Sequence, residues 1–347
     1  MAIQISGSTV IDNSKNVNVG TSASVTAGKT FIANGYVGLG TIGTTERNGL
    51  STATGTIIYN IDDTRIQVWD GATWVDGFIT LQQLEATGGA VDTATRPGFK
   101  VHTFTGDGTF TVTSNPGNTP GEIELFMIGG GGSGGGDRGG GGGAGGVYYK
   151  SDFPFTGTSP VTVTIGQGGD PGGTTSFGLT SIGGGGRAGY RNSRTGLPGV
   201  SGGGAGAADG GGASGAAGTG DPGGTGDSAS PANGWGNNGG NGFNQPNGAG
   251  GGGGGGGGGN GNNGGPGSGG SGGGGLTYTI DGGSTARAGG GGGGGFSNPG
   301  PASAGGGAGT RFQGYGGAAC TPGTGGGGGG STGGSGILIV AYPYTPD

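Results

Sequence analysis

The sequence predicts an all-β protein with a large non-regular, glycine-rich part, and three observations carry that expectation. Glycine supplies 112 of 347 residues, mostly beyond position 128, in runs at 129–132, 139–143, 183–186, 250–259, 272–275, 289–295 and 325–330. Short segments rich in Val, Ile, Thr and Phe flank these runs, the composition of strands. Helical patterning is confined to one stretch, 80–96.

An ordered glycine gives up roughly 0.5–1 kcal/mol more backbone entropy than alanine, and it has no side chain whose burial would offset that loss. What remains is one donor and one acceptor per residue, each needing a partner. A polyproline-II-like helix has three residues per turn, rises about 3.1 Å per residue and makes no internal hydrogen bonds. Laid side by side, such helices bond to their neighbours, and glycine permits the close approach. The runs therefore predict a bundle of packed polyglycine-II helices, in which residues 250–259 would span about 31 Å. The strict G-X-Y period of collagen, with its abundant proline, is absent.

Taken in order, residues 1–79 read as an N-terminal β region. Its strands at 22–26, 30–33 and 36–39 are too short to bury a core alone, so interleaving in a trimer is one solution. Strands at 56–59 and 65–69 follow, and Asp70-Gly71 between 66–69 and 73–75 marks a tight hairpin. Residues 80–99 read as a linker. Leu81, Leu84 and Ala86 stand there among Gln82, Gln83 and Glu85 in a short helical pattern, which Gly88-Gly89 interrupts and Pro97 ends. Residues 100–347 read as a small β-sandwich with strands at 101–105, 109–113, 122–128, 147–150, 161–165, 174–179 and 337–342. Glu122-Ile123-Glu124-Leu125 alternates, which predicts exposed glutamates on a half-buried strand. Ile337-Leu338-Ile339-Val340 is continuously apolar and predicts a central strand. Because that strand comes last, the glycine bundle is inserted before it and loops out of one end of the sandwich.

Composition excludes several function classes. Charged residues make up 9% and the net charge is −6, with no basic patch interleaved with aromatics, so no nucleic-acid partner is expected. The first residues, MAIQISGSTV, lack a charged segment and an apolar core, so no signal peptide is expected and the chain is made in the cytoplasm. No run approaches the roughly 20 apolar residues of a membrane span. The single Cys320 excludes an internal disulfide or a multi-cysteine metal site and reads as an inert buried thiol. The single His102, in a predicted strand and without a candidate cysteine partner, reads as structural. Matches to G-x-G-x-x-G carry no information at this glycine content, and Gly28-Lys29-Thr30 lacks the first phosphate-loop glycine, Ala23 standing there. Asp221 and Asp227 read as turn residues rather than as a glycosidase pair or calcium ligands. The expectation is no enzyme, no cofactor and no metal.

Binding residues are more visible. Arginine and aromatic residues interrupt the glycine in clusters: Arg187, Tyr190, Arg191 and Arg194; Trp235, Phe243 and Gln245; Tyr278 and Arg287; Phe296; and Arg311, Phe312 and Tyr315. Such residues dominate binding hot spots, and loops on a rigid scaffold commonly carry recognition. Tyr190, Arg191, Arg194, Trp235, Phe243, Tyr278, Phe296, Arg311, Phe312 and Tyr315 are the candidate binding residues. The alternative for the same side chains is to cap and pin the ends of the glycine helices, or to stack between subunits.

Two groups of motifs resemble known families. Gly43-Thr44-Thr45-Glu46-Arg47, Gly55-Thr56-Ile57-Ile58-Tyr59-Asn60 and Arg65-Ile66-Gln67-Val68-Trp69-Asp70-Gly71-Ala72-Thr73-Trp74 together resemble a module recurrent in bacteriophage tail-fibre and structural proteins. Val101-His102-Thr103-Phe104-Thr105-Gly106-Asp107-Gly108-Thr109-Phe110, Phe126-Met127-Ile128-Gly129, Gly145-Gly146-Val147-Tyr148-Tyr149, Val163-Thr164-Ile165-Gly166 and Ser335-Gly336-Ile337-Leu338, in that order, look like the glycine-rich domain of many phage tail proteins. The glycine bundle is similar to the adhesins that tip the long tail fibres of T-even-like phages. The resemblance implies a virion protein, a homotrimer, attachment through the N-terminus to other tail or baseplate proteins, and loops that bind a host-surface glycan or outer-membrane protein. Those adhesins are separate proteins that cap a fibre, whereas this chain carries its own fibre-like N-terminal part. A purely structural virion or filament component, an ice-binding protein and a glycan-cleaving tailspike remain as alternatives.

Overall fold

The computed structural model describes residues 4–5, 8–9, 41–50, 54–76, 84–114, 123–155, 160–191, 195–207, 218, 236–246, 248–311, 321 and 323–344. The fold is all-β, with several antiparallel sheets. The chain divides into two units, residues 1–81 and 82–347.

In the first unit, β1 (Gln4–Ile5) pairs with β2 (Ser8–Thr9). Next come β3 (Thr41–Ile42), α1 (Thr44–Asn48), β4 (Ile57–Asn60), β5 (Arg65–Trp69) and β6 (Trp74–Asp76), whose strands form one sheet in the order β3-β4-β5-β6. The predicted hairpin is β5–β6, but Trp69 pairs with Trp74, so the loop spans residues 70–73. Asp70 sets it: its Oδ1 accepts from the amides of Ala72 and Thr73, both at 2.7 Å, and Gly71 takes φ 106°. The strands expected at 22–26, 30–33 and 36–39 lie outside the described residues.

The second unit begins with β7 (Glu85–Thr87), β8 (Ala90–Asp92), β9 (Phe99–Phe104), β10 (Gly108–Ser114), β11 (Ile123–Ile128) and β12 (Val147–Phe153). It continues with β13 (Val161–Thr164), β14 (Thr175–Phe177), β15 (Thr180–Ile182), β16 (Leu276–Tyr278), β17 (Thr285–Arg287) and β18 (Ile337–Pro343). Two five-stranded antiparallel sheets, β15-β14-β13-β10-β7 and β12-β11-β18-β9-β8, form a sandwich-like core. Phe110, Val163 and Phe177 of the first sheet pack with Leu125, Met127, Leu338 and Val340 of the second. On the second sheet's other face, Phe126, Ile128, Ile337 and Ile339 pack with Tyr278 and Ile280 of the β16–β17 hairpin. That sheet is therefore buried on both faces, which is why β11 and β18 read as near-continuous apolar runs.

The expected helical linker is instead a strand pair. Leu84 and Ala86 are buried in the first core, and β7 joins β10 while β8 joins β9, so the chain crosses from one sheet to the other between them. Gly88 and Gly89 make the crossing at φ 116° and 64°, and a Cβ at Gly88 would sit closer than 3.0 Å to the Thr109 carbonyl oxygen. His102 locks the corner. It is fully buried, with Nδ1 2.7 Å from the Gly88 carbonyl and Nε2 3.0 Å from the Tyr342 hydroxyl. A carbonyl only accepts, so Nδ1–H donates to Gly88 and Nε2 accepts from Tyr342, whose oxygen accepts from the Ala86 amide at 3.1 Å. Glu124, expected to be exposed, is largely covered: Arg96 grips both its oxygens at 2.7 and 3.1 Å, and the Tyr149 hydroxyl donates to it.

The glycine segments leave the sandwich after β11 and β15 and return before β12 and β18. Their backbone bonds repeat every three residues. Along 139–146, Gly140, Gly143 and Gly146 donate to Gly189, Gly186 and Gly183; Gly141 and Ala144 donate to Gly252 and Gly255; Gly142 and Gly145 donate to Gly328 and Gly325. Along 250–257, Gly251, Gly254 and Gly257 donate to Gly294, Gly291 and Ala288, while Gly252 and Gly255 donate to Ala205 and Gly202. A strand points its donors alternately to two sides; here they rotate among three neighbours. The neighbours are so close that a Cβ at Gly141 would sit under 3.0 Å from the Gly291 carbonyl oxygen. The ten-glycine run does not continue straight, because Gly253 and Gly256 donate to Asn262 and Gly259 and the chain folds back through 257–259.

Candidate functional site

Several array segments have one end at a strand, as where Ile128 meets Gly129, Gly146 meets Val147 and Gly336 meets Ile337. The opposite ends meet one another. Gly250 bridges Phe243 and Gly295, Gly295 bridges Arg311, and Ser268 bridges Gly265 and Asn298. The Ala207 amide donates to Arg138, that of Gly294 to Gly139, and that of Gly134 to Ser331. One distal end thus gathers turns from far-separated stretches of the chain.

A broad open cleft of about 620 Å³ lies on this end, lined by Ser133, Asp137, Tyr190, Arg191, Ser331 and Thr332 between glycines. Asp137 organises it. Its Oδ2 lies 2.9 Å from Arg191 Nη1, and its Oδ1 lies 3.2 Å from Nε of Arg138, a guanidinium whose residue is only 2% exposed. Asp137 and Arg138 take φ 43° and 58°, left-handed values that cost roughly 1–2 kcal/mol per non-glycine residue. In a segment otherwise almost all glycine, two large residues occupy the positions where glycine is cheapest. Beside the cleft, the Arg187 guanidinium lies 5.0 Å over the Tyr190 ring, with its Nε 3.3 Å from the Asp170 carboxylate. Asp137–Arg191 is partly exposed, so it fixes geometry more than it adds stability, about 0–1 kcal/mol.

Of the residues expected to bind, Tyr190 and Arg191 line the cleft, and Phe243, Phe296 and Arg311 sit at the same distal end without lining it. Tyr278 does not belong with them. It is 7% exposed at the opposite end, its ring 4.8 Å from Phe126 and 5.1 Å from Tyr149, and serves as core. Arg287 likewise turns inward, paired with Asp281 at 2.5 Å. Arg194, Trp235, Phe312 and Tyr315 lie outside the described residues, as do Asp221, Asp227 and Cys320. Sequence reasoning missed Ser133, Asp137, Ser331 and Thr332. Their signal was the interruption of glycine runs by Ser133, Asp137-Arg138 and Ser331-Thr332.

Among the described residues, no group of His, Cys, Asp and Glu is placed to hold a metal ion, and no helix is long and apolar enough to cross a membrane. No protein-family model matches the chain, and no curated protein is similar to it in sequence.

Proposed function

We propose that this chain is a bacteriophage tail-fibre adhesin, attaching a virion to a host-surface receptor through turns held on a packed polyglycine-II array. The observation that carries the reading is the gathering of Tyr190, Arg191, Phe243, Phe296 and Arg311 at one end of the array, remote from the sandwich. Three-residue rotation of the backbone donors supports the polyglycine-II assignment, because that helix has three residues per turn. A scaffold bonded to neighbours on every side holds its turns rigidly, and pre-ordered turns lose little entropy on binding. Every amide from Gly139 to Gly146 and from Gly250 to Gly257 finds its acceptor within one chain. That supports a tip built by a single copy, with the homotrimer and the attachment to other tail or baseplate proteins assigned to the N-terminal unit.

The test is adsorption of the purified full chain to candidate host cells, beside a variant with Tyr190, Arg191, Phe243 and Phe296 replaced by alanine. Binding that is lost in the variant at unchanged melting temperature supports the adhesin. Absence of binding by the parent chain to every host tested moves the reading to a structural virion component.

A further inference from the structure

The sheet β3-β4-β5-β6 of the first unit turns polar side chains inward and apolar ones outward. Strand pairing sets Ile57 opposite Val68, Val68 opposite Val75 and Tyr59 opposite Ile66, so these five share one face. Ile57 and Val75 are 42% and 41% exposed, and Tyr59, Ile66 and Val68 are half-buried. The other face carries Ile58, Asn60 and Gln67, which are buried. Asn60 Nδ2 donates to Asp63 Oδ2 at 2.8 Å and to Gln67 Oε1 at 3.0 Å, and Arg47 of α1 donates to that same Gln67 oxygen at 2.7 Å. A sheet with one wet face ordinarily does the reverse, packing its apolar side and exposing its polar one. Among the described residues, Ile58 is the one buried apolar side chain of this unit, and no member of either hydrophobic cluster precedes Leu84.

A sheet needs its apolar face packed on something to be stable, and a fold of fewer than ~40 residues commonly adds a disulfide, a metal or association. The sheet and α1 lie within residues 41–76. The only cysteine is Cys320, and among the described residues no group of His, Cys, Asp and Glu is placed to hold a metal, which leaves association. We infer that this face packs against the same face on a further copy of this chain, forming an apolar core shared between chains. None of the five side chains carries a charge, so copies meet there without bringing like charges together, despite the net charge of −6. Rows of side chains on two such faces interdigitate as in a β-sandwich, here with one sheet from each chain. At these exposures the face offers on the order of 300 Å² of apolar surface, enough to mark a contact and short of the ~800 Å² that each partner of a stable dimer buries. Association through it is therefore reversible and concentration-dependent. The inference rests on the assignment of self-association to the first unit and names the surface that carries it.

The experiment is sedimentation equilibrium of the full chain from about 1 μM to 1 mM, the range of a weak contact. Beside the parent run Ile57→Lys, Val75→Lys and, as a control, Leu179→Lys, whose side chain is fully exposed in the second unit. The parent is expected to rise from the mass of one chain toward a whole multiple of it. Ile57→Lys and Val75→Lys should each weaken association about tenfold or more, because lysines then enter the contact from both sides, and Leu179→Lys should leave it unchanged. Hydroxyl-radical footprinting of the parent needs no variant: Tyr59 and Val68 should gain protection as concentration rises, and Leu179 should not. A mass of one chain throughout overturns the inference, whether the footprint shows the face open, as for a different partner, or covered by the chain itself. Association that both lysines leave unchanged also overturns it, keeping the self-association and placing it on another surface. The adhesin fails separately: a chain that associates through this face and adsorbs to no host cell keeps the interface and loses the adhesin.

Discussion

A methyl group added at Gly254 would meet the Gly142 carbonyl oxygen at well under 3.0 Å, whereas one added at Gly274 would meet nothing within 4 Å. The two positions belong to the same chemistry in sequence and to opposite environments in space. Gly254→Ala should therefore cost at least about 3 kcal/mol through overpacking, while Gly274→Ala should stabilise by about 0.4–1 kcal/mol through the unfolded chain. Thermal melting of the two variants distinguishes them, and equal effects would disprove the close packing. His102 makes a second prediction at this scale. Burial lowers its pKa below the ordinary imidazole value, against an opposing pull from the Gly88 carbonyl; nearby Lys100 lowers it further and Glu85 raises it. The unfolded chain takes up a proton near pH 6.5 that the folded chain refuses. The folded pKa is the depressed one, so this contribution to stability is complete above about pH 6.5 and falls as pH drops below it. Urea midpoints of the parent and of His102→Gln at pH 7.5, 6.5 and 5.5 check this. The variant should be about 1–3 kcal/mol less stable at pH 7.5, because the Tyr342 hydroxyl or the Gly88 carbonyl loses its partner, and should show the shallower decline. Parallel declines would assign the pH dependence to the carboxylates.

Elements differ in how openly the sequence declares them. Strands β9 to β14 and β18 were legible because Val, Ile, Thr and Phe recur within them and glycine or proline bounds them. Residues 84–92 were not, because Leu81, Leu84 and Ala86 with Gln and Glu satisfy a helical spacing locally, and only the sheets on either side turn Gly88-Gly89 into a corner. The β16–β17 hairpin was hidden for a different reason: each strand is three residues long, and its strand identity comes from packing Tyr278 and Ile280 on the second sheet. The cleft was half legible. Tyr190 and Arg191 declare themselves by type, but serine, threonine and a lone aspartate gain meaning only when distant turns meet. Asparagine shows the same dependence on neighbours. The amides of Gly261 and Gly264 donate to the carbonyls of Asn238 and Asn241, and in return the amides of Asn238 and Asn241 donate to Oδ1 of Asn260 and Asn263, at 3.0 and 2.8 Å. At this exposed edge a side-chain carbonyl takes the place of the next backbone, again three residues apart. Replacing Asn260 and Asn263 by alanine should cost about 0.5–1.5 kcal/mol each, and by aspartate, which keeps the acceptor, much less. Denaturant midpoints of the four single variants decide it, and equal losses for alanine and aspartate would refute the edge role.

At the scale of the second unit, two kinds of cohesion share one covalent frame. The sandwich-like core is held by apolar burial between sheets, and the array is held by peptide hydrogen bonds with almost no side chains between segments. Neither part closes without the other. β11 runs into 129–138, β12 is fed by 139–146, and β18, which pairs with both β11 and β9, is reached only through 325–336. Gly336 donates to Gly166 and Gly325 to Ser335, so loosening the array loosens the last strand. Heat should therefore unfold the sheets and the array together. The calorimetric trace should also differ from that of an ordinary globular domain. Exposing apolar surface raises heat capacity and exposing peptide lowers it, which nets about 12–15 cal/mol/K per residue for typical domains. Here 112 of 347 residues are glycine, and the array's buried surface is mainly peptide, so the two contributions nearly cancel over much of the chain. Scanning calorimetry of the full chain should give one dominant transition with a heat-capacity increment below about 10 cal/mol/K per residue, while the enthalpy stays large because so many hydrogen bonds break. An ordinary increment would mean that apolar burial holds the array after all. Two separate large transitions would mean that the array and the sheets stand independently, and the strand order β11-β18-β9 would then not be what carries the array.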